Sequence, residues 1–503
     1  MLDAGQELDP HRAAMVARLG AADHRHWTPA DLDELTDNPT ISTSKVPKKL
    51  VFGSDFLYAG KHPLCPTEAE AGIAANPTLA KGGFSIAWGG AMLPMADTDM
   101  ADWPFRRAAL ESSYRRVLQD IPVCGSPGLL DEHFPILREQ SDDIRLPQQA
   151  ADLLKDFTAA AATRRKNDNT LLCGQARLAL HGAAAGGQGC RYCGRCLSGC
   201  VYHAIHTFDQ DIAALARDGR ITYRGGLMVS EIREEGEAVL VRWRGLADQA
   251  PGEQRFKRVF LAAGALNSAR ILLESAGRFD TPLRFQDSRK FVLPMLRLRR
   301  QRLQWPDVNA LPALFMEARF PDVTPHWLHM QISVVNDFVL QRLGVTPGKG
   351  LKWALLGPAV ERLMIAWGGL HSTLSDGFEA RLQRGTDAAP GTLALRILRN
   401  PQTLPMIKRL TRRLIPEGLR FGTLFLPLPT VSDIGGGNHF GGSFPMTREP
   451  ARFEQSDLLG RPAGLRRVHL VDGSVLPSLP ATTVALVIMA NADRIVHEAP
   501  LHE

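Results

Sequence analysis

Four cysteines fall within eleven residues, as Cys190-x2-Cys193-x2-Cys196-x3-Cys200. The spacing is that of a bacterial ferredoxin run, with Val201 where a proline usually follows. Three readings stay open: an iron–sulfur cluster, a zinc site of the kind usually built from two separated pairs, or thiols without metal. A cluster would give electrons an exit to an acceptor other than oxygen. Farther along, His439 stands between Gly435-Gly436-Gly437-Asn438 and Phe440-Gly441-Gly442, one titratable imidazole in a loop of little bulk. An imidazole with a pKa near 6.5 suits removal of a hydroxyl proton while an alcohol gives up hydride. Taken alone, it is equally a structural loop histidine.

Other segments have the shape of ligand cradles. In 82–90 (GGFSIAWGG) consecutive glycines let the backbone approach a flat ligand, which a Cβ would prevent. In FLAAGALNSAR the strand ends at Ala263-Gly264 and a helix starts close behind, leaving free amides at its N-terminus. Asp472-Gly473 follows the apolar VHLV and places a carboxylate at a strand end, where α/β sheets bind ligands. Thr482 or Thr483 can cap the apolar helix that follows, whose N-terminal dipole would stabilise an anion. At the chain start, Asp3 and Gly5 read as an acidic strand end and a turn, the arrangement that holds a ribose in dinucleotide folds. No G-x-G-x-x-G occurs anywhere.

The elements that must position these groups follow from periodicity. Helical patterns cover 10–19, 29–36, 104–118, 146–166, 206–217, about 268–275 and about 484–496. Strand patterns lie in RITYRGGLMVSEI, AVLVRWR, RVFLAAG, VHLVDGS and the alternating 290–340, with MQISVV at 330–335. Residues 346–430 read as proline-rich loops mixed with amphipathic helices. Strands that end in glycine and lead into helices predict an α/β sheet with insertions, α+β overall.

Composition agrees: 503 residues, 44% hydrophobic and 22% charged, are globular and large enough for two or three domains. The net charge of +6 is small for this length, and basic runs at 289–302 and 408–420 read as solvated faces. With aromatics at 7% and no binding motif, nucleic acid is not an expected partner. No apolar run approaches the ~20 residues of a membrane helix, and the first ten residues lack the pattern of a signal peptide. Cysteines packed into one loop argue for a reducing, cytoplasmic setting.

Five segments taken in order carry a resemblance: LDAG at 2–5, KGGFSIAWGG at 81–90, FLAAGALNSARILLES at 260–275, NHFGGSFPM at 438–446, and VDGSVLPSLPATTVALVIMANADRI at 471–495. Together they resemble the glucose–methanol–choline (GMC) family of FAD-dependent oxidoreductases over most of the chain. The resemblance implies a Rossmann-like FAD domain from about 1–95, 170–290 and 431–503. A sheet-based substrate domain would take 96–169 and 291–430, with the cysteine loop at 190–200 inside the first. It implies FAD contacts at Asp3, Gly5, Gly82, Gly83, Ser85, Trp88, Val229, Ala263, Gly264, Asp472, Gly473 and Val484.

By the same resemblance His439 is the catalytic base, and Met446 completes its motif. Where the family has a second His or Asn, eleven residues after the Asp of DGS, this chain has Thr483. A hydroxyl orients an oxygen but is no base near neutral pH, so a group from the substrate domain is wanted, and His371 is one possibility. The implied activity is oxidation of a CH–OH group of an alcohol or sugar-like substrate by hydride transfer to flavin. An electron-acceptor protein or quinone would serve if the enzyme is a dehydrogenase. Loss of the pyrophosphate loop suggests a contrasting reading, a cofactor-poor binding or assembly protein. Because the Gly-rich turn lies about 20 residues before the ribose-binding acid, the sequence leads us to expect a start about 30 residues upstream.

Overall fold

The computed structural model describes residues 1–36, 46, 49–139, 141–163, 170–182, 189–301, 303, 307–386 and 390–500. Its largest sheet has seven strands. Along its path run Thr423–Phe425, Lys290–Arg297, Leu363–Gly369, Leu328–Val334, Leu314–Arg319 and Thr170–Gln175, and Thr430–Val431 adds to the edge of Lys290–Arg297. Every pairing in it is antiparallel. Antiparallel strands have two distinct faces, and here both are covered. Phe291, Leu293, Met295, Met316, Met330 and Ile332 point to one side, under helices Gln148–Ala162 and Thr403–Arg420. The second helix buries Met406, Ile407, Leu410 and Leu414, the spacing of one helical stripe.

The other face of this sheet mixes polar and apolar side chains. One in-register row crosses it through Lys290, Gly369, His329, Glu317 and Leu172. The next contains Val292, Trp367, Gln331, Phe315 and Gly174.

A second core packs helices Glu111–Asp120, Ala265–Ser275 and Ala485–Glu498 against a five-stranded sheet, a three-stranded meander and a parallel pair. The parallel pair joins Val259–Leu261 to Val468–Leu470, and both strands lead into turns at the site described below. The architecture is a mixed α/β fold with insertions.

Most expected helices are present, with ends shifted by one to four residues: 146–166 becomes Gln148–Ala162, and the helix expected from about Ser268 begins at Ala265. The stretch 104–118 opens as a 3-10 turn at Arg107–Leu110 before the helix Glu111–Asp120. The larger difference lies in 346–430, which contains the strands Leu363–Gly369, Gly377–Leu382, Leu393–Leu398 and Thr423–Phe425 and the start of Thr430–Val431 beside its helices. Leu363–Gly369 carries apolar side chains toward both faces and ends in two glycines, so period-2 alternation is lost where it would have marked a strand. No helix among the described residues is long and apolar enough to cross a membrane.

Candidate active site

Four of the five quoted segments, all but 2–5, contribute to one cavity of about 530 Å³, within the range of small-molecule sites. Its walls come from Gly82 to Gly89, Ala263 to Asn267, Gly436 to Phe440, Asp472-Gly473 and Thr483 to Met489. Two helix N-termini open into it, those of Ala265–Ser275 and Ala485–Glu498. Their free amides and dipoles favour an anionic ligand such as a phosphate or a reduced flavin ring.

Each wall has a local cause. Gly264 holds φ +80, a left-handed conformation, and a Cβ built on it would meet no protein atom within 4 Å. The strand therefore turns into the helix while its backbone faces open space. Asn267, one turn into that helix, donates to the carbonyl of Thr78 at 3.0 Å and ties the two walls together. Across the cavity, Trp88 donates from Nε1 to the His206 carbonyl at 2.7 Å and packs at 5.7 Å from Phe208. The Ser85 hydroxyl donates to the Gly82 carbonyl and accepts from the Phe208 amide, which leaves it shaping the loop. Lys49 reaches the same wall, donating to the Trp88 carbonyl at 3.2 Å, and burial pushes its pKa down to about 8.

His439 lines the cavity. The chain enters it through Asn438 at φ +55, a conformation Asn tolerates better than most residues. It leaves through Phe440-Gly441, paired with Asp287 and Gln286. Gly442, Phe444 and Met446 then donate from their amides to the carbonyls of Gly473, Ser474 and Val475. A Cβ on Gly441 would collide with the Gly473 carbonyl at 2.2 Å, so glycine lets these two site segments touch. Burial, reinforced by nearby Lys290 and His329, holds the His439 pKa well below the ordinary histidine value. The imidazole is therefore neutral at neutral pH.

Of the residues singled out in the sequence, Gly82, Ser85, Trp88, Ala263, Gly264, His439, Asp472, Gly473, Thr483 and Val484 line this cavity. Asp3, Gly5, Gly83 and Val229 lie outside its walls. Asp3 accepts from the Tyr223 hydroxyl at 3.0 Å, with Gly5 packed against the same ring. Val229 belongs to the meander strand Leu227–Glu235. The Thr483 hydroxyl accepts from the Leu93 amide at 3.3 Å.

His371 is fully buried away from the cavity. It stacks on His326 at 3.8 Å and 2°, with its Nε2 3.2 Å from the Asp99 carbonyl. Asp99, His326 and His371 form the one group of three or more potential metal ligands found among the described residues with donor atoms within 4.8 Å. Imidazole lone pairs lie in the ring plane, so two parallel stacked rings do not aim at a common ion.

The iron–sulfur expectation for Cys190, Cys193, Cys196 and Cys200 finds no support in this arrangement. All four are free thiols, and no three of their sulfurs come within that distance of one another. A single tetrahedral zinc with bonds of about 2.3 Å would hold sulfurs about 4 Å apart, so this spacing bears against the zinc reading. Instead, the amide of Asn309 stands between two of them, donating to Cys190 Sγ at 3.4 Å and accepting from Cys196 at 3.8 Å. Burial pushes the Cys193 thiol up to about 12 and Cys196 well above its ordinary value.

Lys49, Tyr58 and Gln331 also line the cavity and carry no sequence motif. The alternation around 330–335 was the available signal for Gln331, since it marks which side chains share a face.

No family model and no curated protein matches this sequence. Among solved structures, its fold is similar to the crystal structure of pyridoxine 4-oxidase from Mesorbium loti, with a TM-score of 0.57 at 16% identity. The match covers 100% of this chain and 94% of that one. At this identity the likeness establishes a shared fold.

Proposed function

We propose that this chain is a flavin-dependent oxidoreductase of the GMC type, acting on a CH–OH group of an alcohol. The observation that carries the reading is the meeting of His439 with two helix N-termini around one cavity. The walls fit FAD: an open cradle at Gly264, helix amides for the phosphates, and the Gly82–Gly89 loop against the ring. When bound, FAD supplies the hydride acceptor. His439 takes the hydroxyl proton, and its depressed pKa keeps it unprotonated until it does. Tyr58, Trp88 and Phe440 line the space with aromatic surface that keeps water from the reacting carbon. Thr483 orients the helix mouth through its bond to Leu93 and takes no proton. The likeness to a pyridoxine oxidase supports a small primary alcohol as substrate.

Purified protein is incubated with FAD, desalted and scanned for flavin absorbance. It is then mixed anaerobically with pyridoxine, benzyl alcohol and glucose. Retained flavin that bleaches with at least one alcohol is the expected result. Retained flavin that none of a broad alcohol panel bleaches would favour a binding protein, and no retained flavin would overturn the reading.

A further inference from the structure

The polar row across the large sheet contains a buried pair that the site description leaves unused. His329 and Glu317 face each other across neighbouring strands, and Nδ1 of His329 lies 2.5 Å from Oε1 of Glu317. Both residues are buried, at 2% and 0% exposure. Phe315 meets the imidazole edge-on at 5.1 Å and fixes its plane. With Nδ1 held by the carboxylate, Nε2 is the free end, and it has no hydrogen-bond partner among the described residues.

His439 shows the complementary defect. Its ring lines the cavity, yet its Nδ1 is buried and also lacks a partner. The His439 loop packs on the row that holds His329: the Ser288 amide donates to the His439 carbonyl at 2.9 Å, and Gly437 lies against the Lys290 stem. Gln331, on the same face of the same strand as His329, reaches the cavity wall beside His439. Two unpartnered buried nitrogens cost more apart than joined, and a gap beyond direct contact is commonly closed by one water. In register with this pair, Gly369 stands between Lys290 and His329, and the Lys290 ammonium and the Ala481 carbonyl lie over it.

We propose that Glu317 and His329 are positioning residues for His439, joined to its Nδ1 through a bridging water. The inference rests on the proposed role of His439 as base. Glu317 accepts from Nδ1–H of His329, whose Nε2 lone pair then receives the hydrogen bond that originates at Nδ1–H of His439. That fixes His439 as the tautomer with a free lone pair on Nε2, since the bond made by one ring nitrogen decides which carries the proton. The substrate hydroxyl proton passes to Nε2. His439 keeps the positive charge that develops on it, oriented through the water and His329 and stabilised by the field of the Glu317 carboxylate, and no second proton moves. The logic is that of a hydrolase triad, in which a buried carboxylate orients the base. The other charged groups around the pair are Lys290, Asp99 and Arg177.

The test uses the whole chain without cofactor, labelled with 15N-histidine, at neutral pH. His439 is assigned by the signal lost in H439Q. The parent is expected to show one His439 tautomer, Nδ1–H. H329L should convert it to a mixture, while H329Q, whose amide oxygen can still accept, should restore the single form. If H329L does not fold, H329N takes its place, because its shorter amide stops short of the gap. With FAD bound, anaerobic flavin reduction by the responsive alcohol should slow about 10²-fold in H329L and recover in H329Q. A parent His439 carrying its proton on Nε2, or a tautomer that ignores residue 329 in folded variants, overturns the proposal. Because the spectra need no cofactor, failure to bind flavin would sink the oxidoreductase reading and leave this result standing.

Discussion

Ser268 donates a hydrogen bond of 2.5 Å to Oδ2 of Asp472, and both side chains are buried. The bond joins the helix after Gly264 to the turn after the parallel strand, across 204 residues of sequence. Asp472 also accepts from the Ser474 amide at 2.9 Å. Its carboxylate therefore holds the two cavity walls together, and burial raises its pKa above the usual carboxylate range. Ser268→Ala leaves one oxygen of a buried acid without its partner, which costs about 1–3 kcal/mol. Thermal unfolding should show that loss without any change in the far-UV spectrum.

Gly264 offers a cleaner separation of binding from folding. Alanine there incurs the cost of a glycine-favoured backbone, φ 80 and ψ 147, about 1–3 kcal/mol, but its Cβ meets no protein atom. The cofactor-free protein should therefore melt only a few degrees lower. FAD would meet the added methyl, and its affinity should fall at least about tenfold, or about 1.4 kcal/mol, in a fluorescence titration. Equal affinity in parent and Gly264→Ala would place the cofactor elsewhere.

His439→Ala should keep flavin and lose chemistry. Removing a general base slows proton transfer by about 10²–10⁴-fold, read as anaerobic flavin bleaching by the responsive alcohol. Because the His439 pKa lies well below the ordinary histidine value, the parent rate should stay level from pH 8 to 6.5. It should fall only at lower pH, as the imidazole gains a proton. His371→Ala, in a separate buried stack, should leave the rate within about twofold, since it touches no wall of the cavity.

The site was legible through the resemblance of short segments, within which local rules gave only candidates. Gly82, Gly264, His439 and Asp472 sit in turns, at strand ends and in a titratable loop, the order of their segments carried the resemblance, and the fold brings them to one cavity. The second half of the site was not legible. His329, Glu317 and Gln331 lie on strands whose other face is uniformly apolar, and a polar residue there reads as an ordinary solvated position. Only the antiparallel register, set by pairing residues far apart in sequence, shows that this face is covered and that His329 stands opposite Glu317. The same dependence hid the strand Leu363–Gly369, whose glycines read as a turn until a neighbour packs over them. Cysteine spacing fixes separation along the chain only, and it could not show that Asn309 comes from a distant segment to stand between Cys190 and Cys196.

Asp287 makes the last prediction. It pairs with Phe440, next to His439, and its Oδ2 accepts from the Gly435 amide at 3.0 Å. Burial pushes its pKa up to about 6, against the lowering influence of that amide and of Arg289 and Lys290. A carboxyl that holds its proton more tightly when folded stabilises most below its unfolded pKa near 3.9. That contribution is lost as pH rises through the folded value. Between pH 4 and 6 this group therefore makes stability fall with rising pH, by up to about 2–3 kcal/mol in total. Asp287→Asn removes the titration while its amide oxygen still accepts from Gly435. Denaturant unfolding at pH 4, 5, 6 and 7 should show the gap between variant and parent shifting in the variant's favour as pH rises, then levelling off above pH 6. A gap that stays constant across the series would show that Asp287 is ionised throughout, and that its carboxylate is solvated or paired in the folded protein.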